Sequence, residues 1–399
     1  MNPLTANGHL PSAPRILVRG VNWLGDAVMT TPALLRLREK FPDARITMLC
    51  PEKLKDLWLH HPAVDDIIPF TADEGVWKVS RKLRHGSGLE VLYCANENFH
   101  AGPKKIPVRF DLALVLPNSP RSALEVYLAG IPQRIGYARP WRNFFLTQAV
   151  AARTGIEKMR KRPAAEIRRL AAGENLGNWK LEVGNTQAHH IHEYLHLAAA
   201  LGGSLEPLAP QLTVTAEEIE AAKNKFGLAH ISQPIFGLNP GAEYGPAKRW
   251  PAEKFIAAAQ EIQRQTNCTW VLFGGKSDAA TTSQIESAIR SPQATIFNLA
   301  GKTSLRELMA LFKLCRVLLT NDTGPMHVAA ALGTPVVVPF GSTSPELTGP
   351  GLPGDLRHRL LKSDAPCSPC FLRECPIDFR CMHGIGIERV VAAVLSAAG

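Results

Sequence analysis

Three short loops hold the residues best able to do chemistry. In Gly20-Val21-Asn22-Trp23-Leu24-Gly25-Asp26, a glycine that permits a tight turn is followed at once by a carboxylate. A carboxylate so placed could take the proton from an attacking hydroxyl. Negative charge is also favoured near a helix start for electrostatic reasons alone, so Asp26 has a structural reading beside the catalytic one. The second loop, 239–250, reads Asn-Pro-Gly-Ala-Glu-Tyr-Gly-Pro-Ala-Lys-Arg-Trp. Gly241 and Gly245 let a backbone approach a ligand closely, and Lys248 and Arg249 put positive charge beside a helix start, a favourable place for phosphate. The loop lacks the Walker pattern, and an exposed basic turn is the competing reading. The third is Asn321-Asp322-Thr323-Gly324-Pro325-Met326-His327, which opens a short apolar helix. Amides of Thr323 and Gly324 at the helix N-terminus would suit a diphosphate. Asp322 would repel phosphate and is better suited to accept hydrogen bonds from sugar hydroxyls. His327 could touch the ligand or be an ordinary core histidine. A weaker fourth loop, Gly274-Gly275-Lys276-Ser277-Asp278, could border a nucleoside.

These loops need strands that end where they begin. The runs at 15–20, 45–50, 65–70 and 111–116 suit buried strands, and a helix pattern from Thr31, with Thr31 as its cap and Pro32 in its first turn, follows the first. The stretch 72–108 breaks the rhythm and reads as a surface insertion, with a short strand of its own at 90–94. The segment 154–190 is polar and irregular and is assigned to the same half. A helix at 190–201 and a linker at 202–207 precede a second alternation: strands at 235–238, 269–273, 295–299, 317–320 and 335–339, with helices between them. The expected organisation is a leader at 1–14, a Rossmann-like domain at 15–205, a second at 206–384 and a terminal helix at 385–399. Open parallel sheets bind ligands beyond their carboxyl ends, so two such domains facing a central cleft would gather these loops there.

The chain has 399 residues, 45% of them hydrophobic, enough for two cores. Its formal net charge of +10 favours anionic partners. No basic stripe interleaved with aromatics and no nucleic-acid motif is present, so nucleic acid is excluded as the partner. No run reaches the roughly 20 apolar residues of a membrane span, and no export signal opens the chain, which predicts a cytoplasmic protein with reduced cysteines. Cys367, Cys370, Cys375 and Cys381 have the spacing C-x2-C-x4-C-x5-C. Four thiolates could hold a structural zinc, but the spacers are short and no usual zinc module surrounds them, so the segment reads rather as a reduced turn without metal. No G-x-G-x-x-G opens either half, which argues against a nicotinamide enzyme.

Taken together, Gly25-Asp26-Ala27-Val28-Met29-Thr30-Thr31-Pro32-Ala33-Leu34 and the stretch 321–333 resemble the ADP-heptose:lipopolysaccharide heptosyltransferases of glycosyltransferase family nine. Leu116-Pro117-Asn118-Ser119-Pro120-Arg121-Ser122-Ala123-Leu124, Arg134-Ile135-Gly136-Tyr137 and Cys367-Ser368-Pro369-Cys370 fit as well, and favour the type II members. The resemblance implies an α/β GT-B fold of two Rossmann-like domains. It implies an inverting transfer, with no cofactor or metal required, of L-glycero-D-manno-heptose from ADP-L-glycero-D-manno-heptose to the lipopolysaccharide core. Under it Asp26 falls on the general base and Lys248 on the phosphate-binding lysine. Asp322, Thr323 and Gly324 fall on the donor loop, with Gly241 and His327 beside them, and Asn118 and Arg121 lie on the acceptor side. Contact with the inner membrane face follows from a lipid-borne acceptor, while the oligomeric state is left open. The alternatives are a family-nine transferase with another acceptor, of type I or III, and a non-catalytic nucleotide-sugar-binding protein.

Overall fold

Runs of Ile, Leu and Val too apolar for a one-sided sheet build the two sheets of this chain. The computed structural model describes residues 10–85, 92–93, 109–154, 159–176, 186–292 and 294–399. Contacts divide the chain into two units, Met1–Gly155 with His190–Thr213, and Ile156–His189 with Val214–Gly399.

The first unit carries β1 (Arg15–Arg19), β2 (Arg45–Pro51), β3 (Asp66–Phe70), β4 (Leu92–Tyr93), β5 (Leu112–Val115), β6 (Gln133–Tyr137) and β7 (Gln148–Val150). They lie in the order β4-β3-β2-β1-β5-β6-β7, all parallel except β4, which pairs antiparallel with β3. Successive side chains of β1 alternate between faces. Leu17 joins Leu49, Ala113 and Val115 under helices Val76–His85 and Pro120–Leu128, through Val79, Leu83, Ala123 and Val126. Helices Thr31–Lys40 and Ile191–Ala199 pack against each other in the same unit.

The second unit carries β8 (Ile235–Asn239), β9 (Thr269–Leu272), β10 (Ile296–Asn298), β11 (Val317–Thr320), β12 (Val336–Phe340) and β13 (Arg359–Lys362), in the order β10-β9-β8-β11-β12-β13, all parallel. Helices Ala252–Thr266, Ala279–Ile289 and Ile387–Ala398 cover one face, with Phe255, Ile262, Ile285, Val390 and Val394 packed on Phe236, Leu238, Trp270 and Leu319. The terminal helix is therefore part of this core.

Four sequence expectations change. Thr31 does not cap a helix: a short helix, Leu24–Met29, precedes it, Thr30 takes the cap position, and the Thr31 hydroxyl donates to the Val28 carbonyl at 2.8 Å. The stretch 72–108 is no mere surface insertion, because Val79 and Leu83 of its helix are buried in the first core. Of the strand expected at 90–94, Leu92–Tyr93 is described; residues 86–91 and 94–108, like residues 1–9 of the leader, lie outside the described residues. The segment 154–190, read as part of the first half, joins the second unit over 156–189. Its described residues bind there. Ile167 packs on Cys367 and Cys370, the Arg162 amide donates to the Cys370 carbonyl at 3.1 Å, and His189 Nε2 donates to the Gly349 carbonyl at 2.9 Å. The boundary moves from 205 to 213, since the Gln211 amide donates to Thr31 Oγ1 at 3.1 Å.

Candidate active site

In the second sheet the chain leaves β8 toward β9 on one side and leaves β11 toward β12 on the other. The carboxyl ends of β8 and β11 thus form a switch point, where the connections part and leave a crevice. The two loops that follow these strands are 240–250 and 321–323. Two asparagines tie them together. Asn239 Nδ2 donates to Thr320 Oγ1 at 3.0 Å, and Asn321 Nδ2 donates to the Pro240 carbonyl at 2.7 Å while its Oδ1 accepts from the Trp250 amide at 2.9 Å. All three polar side chains are buried, and satisfying them in this way fixes the spacing of the loops.

On this frame Lys248 Nζ lies 2.7 Å from Asp322 Oδ2, with 14% of the lysine side chain and 4% of the aspartate side chain exposed. The Thr343 hydroxyl also donates to Asp322 Oδ2. The Lys248 ammonium stands 5.0 Å from the centroid of the Tyr244 ring, and the Arg373 guanidinium 5.3 Å from it. Arg373 Nε donates to the Tyr244 carbonyl at 2.6 Å, and its own carbonyl accepts from the Ala247 amide at 3.0 Å. Thr323 precedes helix Gly324–Ala331 and its side chain makes no capping bond; Pro325 has no amide to offer. The helix start therefore presents backbone donors beside Lys248, an arrangement suited to a diphosphate. His327 is buried one turn along.

Gly241 and Gly245 serve the protein's own packing. A Cβ on Gly241 would come within 2.4 Å of an Asp278 carboxylate oxygen, and Gly245, at φ 152°, would bring one within 2.5 Å of the Arg373 carbonyl. Arg249 is exposed and points to Asp278, at 3.8 Å, and to the Ala242 carbonyl, at 3.4 Å. Asp278 of the fourth loop accepts from the Gly275 amide at 2.9 Å, so that loop braces the second one.

The cysteine segment has a bracing role too. The amides of Cys370 and Phe371 donate to the Ser342 carbonyl at 3.1 and 2.6 Å, which docks the segment on the end of β12 and carries Arg373 to Tyr244. Cys367, Cys370 and Cys381 are buried free thiols, and burial followed by the neighbouring thiols pushes Cys381 up to about 12. Among the described residues no group of three His, Cys, Asp or Glu side chains is arranged to hold a metal ion.

The first sheet has its own switch point, between β1 and β5. Asp26 sits half-buried in the first turn of helix Leu24–Met29, directly after β1. The loop before it rests on a buried pair, Arg19 Nε to Glu125 Oε2 at 2.9 Å, and Arg19 Nη1 also holds the Gly20 carbonyl and, at 3.2 Å, Asn22 Oδ1. Burial, then the carboxylates of Asp26 and Glu193, pushes the Tyr194 phenol up. Of the acceptor-side candidates, Arg121 is engaged with Glu125 at 2.9 Å and the Glu74 carbonyl at 2.6 Å. Asn118 Oδ1 lies 3.4 Å from Nη1 of Arg142, a wholly buried arginine that sequence reading passed over. Thr343, Tyr244 and Arg373 were passed over too; Tyr244 alone lay inside a recognised loop, and the other two carry no local signal.

With that geometry in hand, known proteins can be compared. A model of the family described as "Glycosyltransferase family 9 (heptosyltransferase)" matches residues 165–379. Lipopolysaccharide heptosyltransferase 2 of Escherichia coli (strain K12) is 32% identical over 344 residues, covering 84% of this chain and 85% of that protein. Lipooligosaccharide heptosyltransferase 2 of Haemophilus ducreyi is 30% identical over 343 residues, covering 84% and 86%. The solved structure of E. coli ADP-heptose lps heptosyltransferase II superposes with a TM-score of 0.70 at 28% identity, covering 96% of this chain and 98% of that one. The two Rossmann-like units, the lysine and helix start at the second switch point, and these likenesses agree: the chain belongs to glycosyltransferase family 9, the heptosyltransferases, and is a glycosyltransferase of the GT-B fold.

Proposed function

We propose that this enzyme moves L-glycero-D-manno-heptose from its ADP derivative to a heptose hydroxyl of the lipopolysaccharide inner core, with inversion, as a type II heptosyltransferase. The observation that carries the reading is the Lys248–Asp322 pair beside the Thr323–Gly324 helix start, at the switch point of the second sheet. Before donor arrives, Asp322 is the counter-charge of Lys248. A diphosphate would take that place, drawing the ammonium toward its oxygens and releasing Asp322 to accept from sugar hydroxyls. As the bond between the anomeric carbon and the diphosphate breaks, negative charge grows on the leaving ADP. The lysine and the amides then stabilise the transition state more than the ground state, which is what lowers a barrier. Asp26 takes the proton of the acceptor hydroxyl as its oxygen attacks the anomeric carbon from the side opposite the diphosphate.

A lipid-borne acceptor assigns the work to the cytoplasmic face of the inner membrane. No helix among the described residues is long and apolar enough to cross a membrane, so attachment there would be peripheral. The test is direct. The purified protein is incubated with a panel of nucleotide sugars and defined core acceptors, and the products are weighed by mass spectrometry. A mass gain of one heptose, with ADP-heptose alone among the donors and only on acceptors already carrying the first heptose, is the expected result. Transfer to an acceptor lacking that heptose would refute the type II assignment.

A further inference from the structure

The outer layer of the first unit carries exposed aromatic and basic side chains beyond the residues assigned to the transfer reaction. Helix Val76–His85 packs beside helix Pro120–Leu128, and the short turn Asn143–Phe145 packs beside the second of these. Contacts join the three: Arg84 donates to the Leu128 carbonyl, and the Tyr127 and Phe145 rings lie 5.5 Å apart. This layer exposes large aromatic groups, with Trp77 75%, Trp141 90% and Phe144 86% exposed. Side chains of this kind are ordinarily covered, and several exposed on adjoining elements mark an interaction surface. Trp141 has φ 62°, a conformation unfavourable for a bulky residue, and the same turn buries Arg142 completely. The backbone accepts that strain where it turns an indole outward.

Among the described residues, the exposed charge on these elements is positive. Helix Val76–His85 contains Lys78, Arg81, Lys82 and Arg84 and no acid. From residue 119 to 150 the sole acidic residue is Glu125, which is buried under Arg19 and Arg121. Glu74, also buried, pairs with Lys82 at 2.9 Å and approaches Lys78 at 3.7 Å. Among the described residues, exposed Asp73 borders the layer.

We infer that this face docks on the surface of an anionic phospholipid bilayer, with Trp77, Trp141 and Phe144 at headgroup depth and Lys78, Arg81 and Arg84 against lipid phosphates. Amphipathic aromatics beside cations match such an interface on both counts, apolar area and charge. A second copy of this chain would have to bring the same positive charge onto itself, and an acidic protein would leave the outward indoles without a hydrocarbon boundary. The inference is independent of which sugar is transferred.

The experiment uses the full chain and reads binding, not turnover. The protein is sedimented with vesicles of phosphatidylcholine alone and of phosphatidylcholine with about a third phosphatidylglycerol. Binding to the anionic vesicles alone, weakening steeply with salt and blue-shifting tryptophan emission, is expected. The Trp77→Ser/Trp141→Ser/Phe144→Ser variant should lose at least about tenfold in partitioning, and Lys78→Gln and Arg81→Gln about fivefold each, with nucleotide-sugar binding and melting temperature unchanged. Equal binding to both vesicle types, or undiminished binding by the triple variant, overturns the proposal. So does conversion of a dimer to a monomer by that variant with vesicle binding intact, which would make the face a self-association surface.

Discussion

Removing the ammonium of Lys248 tests the arrangement at the second switch point most sharply. Lys248 Nζ and Asp322 Oδ2 are 2.7 Å apart and largely screened from water, so Lys248→Ala leaves an aspartate that is 4% exposed with the Thr343 hydroxyl as its remaining donor. Deleting one partner of a fully buried pair costs about 3–5 kcal/mol. The lysine is 14% exposed and Thr343 still serves the carboxylate, so about 2–3 kcal/mol is the expected loss here. For a unit of this size that lowers its melting temperature by roughly 5–10 °C. Calorimetric scans of wild type, Lys248→Ala, Asp322→Asn and the double variant measure it. The cost of removing the lysine should fall below about 1 kcal/mol once residue 322 is neutral, because no charge is then stranded. Binding of ADP adds a second readout. It should weaken in Lys248→Ala and tighten in Asp322→Asn, where the lysine has no rival for the diphosphate, while the sugar-bearing donor loses part of its advantage over ADP. An unmoved melting transition in Lys248→Ala, or the same shift in the Asp322→Asn background, would refute the reasoning.

Asp26→Asn should reduce turnover about 10²- to 10⁴-fold, the usual worth of a general base, with donor affinity by calorimetry held within about twofold; full turnover would remove Asp26 from the mechanism. Burial lowers His61 to about 4, and burial, opposed in part by Asp355, lowers His358 to about 4. Both are neutral when folded, so their stabilisation is complete above pH 6.5 and is lost as pH falls toward 4. Each should withdraw about 2 kcal/mol between pH 7 and pH 5, and a melting temperature constant over that interval would contradict it. Arg142 is wholly buried, and its Nε and Nη2 have no hydrogen-bond partner among the described residues; burial, then Arg139, lowers it to about 10. Arg142→Met should raise the stability of the first unit by about 1–4 kcal/mol, as apolar replacements of buried charges do, and a loss in urea unfolding would show that the guanidinium has a counter-charge.

The sequence by itself carried the central strands, because a buried parallel strand must be a continuous apolar run, and 15–20, 235–238 and 317–320 are such runs; β6, β7 and β13, toward the sheet edges and with shorter apolar runs, were not read from it. It carried the loops that follow those strands, since glycine, proline and charge at a strand end have few other uses. Asp26, Lys248 and Asp322 were therefore legible as candidates. Helices Val76–His85 and Pro120–Leu128 were not read from the sequence: the first lies in a stretch whose turn residues and basic charge read as an insertion, and only the core shows that Val79, Leu83, Ala123 and Val126 face one layer. Only the tertiary structure decided that Lys248 and Asp322, 74 residues apart in sequence, form one ion pair. It also decided that Thr343 and Arg373 complete the site, and that residues 156–189 belong with the second unit. Pattern along a chain reports what each segment buries. Which segments share a pocket depends on strand order, and the reversal of that order between β8 and β11 is fixed only when the whole sheet has assembled.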